Sequence, residues 1–96
     1  MKLLTKEIER QLPPLGANEN DPDPIAWVKF FTPDSNWTWY GMEYDPEKRI
    51  FFGLVHGFET EYGHFSLDEL EQARGLLGLP VERDKFFTPT PASDLE

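Results

Sequence analysis

The chain has 96 residues, enough for one hydrophobic core and too few for two, so residues 1–96 are read as a single domain. Eighteen acidic residues against nine Lys and Arg give a net charge of −9, which disfavours loose attachment to nucleic acid or an anionic membrane. Cysteine is absent, which excludes disulfides, thiolate nucleophiles and Cys-based zinc sites.

Eight Phe, three Trp and three Tyr compensate for the small size, because each large ring buries roughly 150–250 Å². That richness argues against disorder despite the charge. No apolar run approaches the ~20 residues of a membrane span and no signal-peptide pattern opens the sequence, so the expectation is a cytoplasmic protein.

In chain order, Thr5 to Leu12 reads as a short helix. Thr5 is placed to cap it, and Leu4, Ile8 and Leu12 share one face. Pro13-Pro14 ends it. Leu15 to Pro24, with Gly16, two Asn and the Asp21-Pro22-Asp23-Pro24 run, reads as a solvated loop. Four strands follow, at Ile25–Thr32, Trp37–Tyr44, Ile50–His56 and Glu59–Phe65, with Pro33-Asp34-Ser35-Asn36 and Asp45-Pro46-Glu47-Lys48-Arg49 as turns. Gly53 and Gly57 are expected to mark a bulge or a close approach.

Ser66-Leu67-Asp68-Glu69 is a capping-box signature opening a helix to about Arg74, with Gly75 as its left-handed stop. Val81 to Thr88 reads as a possible fifth, edge strand. Residues 1–4 and 89–96 read as frayed termini. The fold class is therefore α+β: an antiparallel four-stranded meander over Ile25 to Ser66, with a short N-terminal helix and a helix after the fourth strand.

Alternation along the strands makes both sheet faces apolar. Ala26, Val28 and Phe30 oppose Ile25, Trp27 and Phe31. Trp37 and Trp39 oppose Tyr40, Met42 and Tyr44. Ile50, Phe52 and Leu54 oppose Phe51 and Val55. Two short helices cover one face. The other needs a cover from Leu15, Leu76, Leu77, Leu79 and the Phe86-Phe87 segment, or else it presents Trp27, Trp37, Trp39 and Tyr40 as an interaction surface for a protein partner or a second copy.

His56, Glu59, Glu61 and His64 are weak candidates for a metal site: the residue types suit zinc, iron or manganese, but the spacing needs a bulge at Gly63. Glu59 and Glu61 as a catalytic acid/base pair, or a small metal-dependent hydrolase around them and His64, is weaker still, since both acids lie on one strand. The expectation is no catalytic residue and no cofactor. The tryptophans lack the basic rim of a nucleic-acid platform, because only Lys29, Lys48 and Arg49 lie near the sheet. The acidity also admits a DNA mimic that blocks restriction, although Asp21/Asp23 and Asp68/Glu69/Glu71 are short, separated clusters.

The string Trp27-Val28-Lys29-Phe30-Phe31-Thr32-Pro33-Asp34-Ser35-Asn36-Trp37-Thr38-Trp39-Tyr40, with Phe51-Phe52-Gly53-Leu54-Val55, Gly63 to Leu70 and Val81-Glu82-Arg83-Asp84, resembles the bacterial domain of unknown function 2958 over nearly the whole chain. The resemblance implies a small single-domain protein of plasmids and other mobile elements, and brings no activity, cofactor or catalytic residue with it. It also implies that another aromatic is usual at the position of His64. The expectation is a non-enzymatic interaction or accessory protein of a mobile element, with a DNA-mimicking antirestriction protein as the alternative.

Overall fold

A computed structural model describes residues 1–96. The first helix, α1 (Lys6–Gln11), starts where Thr5 Oγ1 accepts the Ile8 amide at 3.2 Å, satisfying one of the donors a helix start leaves open. The apolar run after the loop is divided into β1 (Ile25–Ala26) and β2 (Val28–Phe31), interrupted at Trp27. The hairpin strands β3 (Thr38–Asp45), β4 (Ile50–His56) and β5 (Thr60–Ser66) follow. Next come α2 (Leu67–Gln72), the short strands β6 (Glu82–Arg83) and β7 (Thr90–Pro91), and a 3₁₀ turn at Ala92–Asp94. The main sheet is antiparallel in the order β5-β4-β3-β2-β6, and β1 pairs with β7 in a separate two-stranded ribbon. This is the expected α+β meander, with the edge strand confined to two residues.

The register of β3 against β4 shifts between Gly41 and Glu43. Met42 is the extra residue of a β-bulge, which changes the phase of everything after it. Trp39 and Tyr44 consequently join one core, where unbroken alternation would have set them apart. That core holds Val28, Phe30, Tyr44, Phe51 and Phe65 beneath Leu3, Leu4, Leu12, Leu67, Leu70 and Val81. Phe30 and Phe51 are fully buried and meet edge-on with centroids 5.5 Å apart; such a side chain contributes about 1.5–3 kcal/mol on burial.

The opposite face carries Ala26, Tyr40, Met42, Leu54 and Ala92, with Phe87 and Leu95 packed against them. Of the expected cover, only Phe87 serves, 5.8 Å from the Tyr40 ring. Leu76, Leu77 and Phe86 stand in solvent.

The termini are packed, not frayed. Leu3 and Leu4 enter the core, and Arg83 donates to the carbonyls of Lys2 and Leu3. At the other end the Ala92 amide donates to the Pro24 carbonyl at 2.9 Å, while the amide and hydroxyl of Ser93 both donate to the Asp23 carboxylate at 2.8 Å. The loop before β1 is likewise tied down. Glu43, only 5% exposed, accepts the amides of Gly16 and Asn18 through its two oxygens, each at 2.8 Å.

Two further expectations change. The second helix ends at Gln72, with Ala73 in extended geometry, and Gly75 is not left-handed. Of the expected capping box, Ser66 Oγ accepts the Glu69 amide at 3.2 Å.

Candidate functional site

The expected four-residue surface divides among three places. Trp37 and Trp39 lie together at one end of the sheet, their rings stacked with centroids 5.9 Å apart and planes at 23°. Trp27 packs against the main core, and Tyr40, buried, belongs to the opposite face. Phe58, at the tip of the β4–β5 hairpin, meets Trp37 edge-on at 5.4 Å and is 96% exposed. Beside it, Gly57 is a true close approach: a Cβ there would lie 2.3 Å from the Trp37 ring.

Trp37, Trp39, Ala73 and Leu76 line a concavity of about 410 Å³ between the sheet end and the turn after α2. That turn is held by Asp34, whose Oδ2 accepts the amides of Leu77 at 2.7 Å and Leu79 at 3.2 Å. The sequence does not single out Phe58, and it offers Leu76 only as a cover for the opposite face. The one signal it offers is a bulky ring between Gly57 and Glu59, in a turn where polar residues are usual.

The four metal candidates are not brought together. β4 and β5 pair in unbroken register from Ile50↔Ser66 to His56↔Thr60, so Gly63 makes no bulge. Glu61, opposite Val55, therefore faces away from His64, and Glu59 lies outside the strands. No three His, Asp or Glu side chains come close enough together to hold a metal ion. His64 stands edge-on to Phe52 at 5.0 Å, and His56 edge-on to Tyr40 at 5.3 Å with its Nε2 buried and without a partner.

On that same face a second concavity, about 530 Å³, lies between the loop before β1 and residue Glu96. Met42, Phe52 and Tyr62 line it, and Tyr62 donates its hydroxyl to Glu96. The Tyr62 phenol is pushed up to about 12, first by desolvation, then by the hydrogen bond to Glu96 and the charges of Glu96 and Asp23. The two concavities lie on different faces of one sheet.

No helix is long and apolar enough to cross a membrane. No match is found among curated proteins or solved structures. Residues 3–94 match the family described as "Protein of unknown function (DUF2958)", and the chain belongs to that family.

Proposed function

We propose that the protein is a non-enzymatic interaction module that holds a basic, apolar-anchored segment of another protein in the Trp37–Trp39 groove. The observation that carries this reading is Phe58, nearly fully exposed yet seated on the Trp37 ring beside a ready-made apolar hollow. Exposed aromatic anchors around a concavity are what binding hot spots are made of.

Charge selects the occupant. Two copies at −9 each repel, whereas a segment with Lys or Arg flanking an apolar side chain is attracted. Glu59 adjoins Phe58, and Glu61 shares the sheet face of Trp39 through the row Trp39–Val55–Glu61. Arg74, which also lines the groove and keeps its positive charge, is turned toward the carbonyls of Glu71 and Ala73. With the family membership, the reading extends to a cytoplasmic accessory protein of a bacterial plasmid or other mobile element.

A DNA mimic needs a row of free carboxylates. In the two clusters the sequence offers, Asp68 and Glu71 both bond Arg49 at 2.7 Å and Asp23 bonds Ser93, so neither cluster presents a full set of free carboxylates.

The test is selection from two peptide libraries, one with Lys/Arg and one with Asp/Glu flanking a variable apolar position. Basic peptides are expected to be enriched, to shift tryptophan fluorescence on titration, and to lose affinity in Phe58→Ser and Leu76→Ser. No enrichment, equal enrichment of acidic peptides, or binding indifferent to both variants overturns the reading.

A further inference from the structure

The cavity on the opposite face is not used by the docking groove. Its volume of about 530 Å³ lies inside the range of roughly 300–1,000 Å³ that small ligands occupy. Its floor is aromatic and apolar. Phe52 and Tyr62 stack with planes 15° apart and centroids at 6.3 Å, and Met42 lies beside them.

Its walls have one sign of charge. Glu19, Asp21, Glu43 and Glu96 line it together with His64, and no Lys or Arg does. The wall is also braced, because Glu43 holds the Gly16 and Asn18 amides and so fixes the loop above the floor.

From this combination we infer that the cavity binds a small organic cation, an amine or quaternary ammonium carried on an apolar body. The ring faces attract a cation, and the carboxylates raise its local concentration while turning anions away. The apolar floor favours a hydrocarbon body over a bare ion. A chelated metal is disfavoured by geometry, since no three His, Asp or Glu side chains come close enough together to hold one. The carboxylates come from three separate segments, the loop before β1, Glu43 on β3 and Glu96, a distribution suited to a diffuse charge.

The experiment uses three probes of similar shape and different charge: phenethylamine, phenethyl alcohol and 3-phenylpropionate. Each is titrated into the full chain while the ring resonances of Tyr62 and His64 are followed by NMR. Phenethylamine is expected to shift both saturably and about tenfold more tightly than the alcohol, the worth of one partly desolvated cation–π contact. 3-Phenylpropionate is expected to leave them unmoved.

Asp21→Asn with Glu96→Gln, both at exposed positions, is expected to weaken the amine by about threefold or more, as is added salt. Phe52→Leu keeps an apolar floor and is expected to weaken it further. No saturable shift with the amine, comparable affinity for the alcohol, or insensitivity to both variants overturns the assignment. The Trp37 resonances report the docking groove separately, so the two readings fail independently.

Discussion

The carboxylate of Asp34 occupies the space where a side chain on Gly75 would begin: a Cβ there would lie 1.5 Å from Asp34 Oδ1. Asp34 comes from the β2–β3 turn and Gly75 from the turn after α2, so this one contact locks the far side of the groove to the sheet.

Asp34→Ala therefore removes two charge-assisted hydrogen bonds and is expected to cost about 1–3 kcal/mol. Gly75→Ala is expected to cost a similar amount by expelling the carboxylate. In the Asp34→Ala background the same glycine change is expected to be much milder. A double-mutant cycle in urea, with a coupling of about 1 kcal/mol or more, checks this. Additive effects contradict the contact.

Glu43→Gln replaces one of two accepting oxygens with a donor and sets it against a backbone amide. The expected loss is about 1–3 kcal/mol, with faster hydrogen exchange at Gly16 and Asn18. Unchanged protection at both amides contradicts it.

The phenol of Tyr62 titrates near 12, and burial also raises Tyr44 above the usual tyrosine range. The folded chain thus keeps the Tyr62 proton that the unfolded chain releases near pH 10. The stability this group contributes is complete below about pH 10 and is lost as pH rises through about 12. Ultraviolet titration of the phenolates is expected to show the late component move down in Glu96→Gln. An unchanged titration contradicts the Tyr62–Glu96 bond.

Arg49 has a left-handed backbone, φ 57°, and its guanidinium joins Asp68 and Glu71 on α2. Arg49→Gly and Arg49→Ala both lose the ion pairs, but only glycine relaxes the backbone. The expected order of melting temperature is Gly above Ala, with a gap of a few degrees that salt leaves intact. The opposite order contradicts a strained Arg49.

Much of the fold is legible in the residues. Thr5 and Ser66 announce their helices, the turn chemistry separates the strands, and Gly57 marks a close approach. Facing is less legible, because counting by twos assumes an unbroken ladder, and Gly41 alone does not say that Met42 is the extra residue. The tail misleads for a related reason. Pro89-Thr90-Pro91 and its polar neighbours look solvated, yet Ala92 and Leu95 are three residues apart, the spacing that one turn needs to present both inward. The aromatic pair Trp37 and Trp39 is recoverable from alternation. The cavity around Phe52 and Tyr62 is not, since its walls come from segments distant in sequence.

The pairing of β1 with β7 also bears on the order of events during synthesis. The ribosome delivers the hairpins of β3, β4 and β5 early, and they can zip as they emerge. Ile25 and Ala26 must wait for Thr90 and Pro91, and Tyr40, Met42 and Leu54 stay bare until Ala92 and Leu95 arrive. A chain that lacks this segment thus leaves the second face of its sheet partly uncovered. A stall or premature stop before that segment is expected to yield aggregation rather than a smaller working protein.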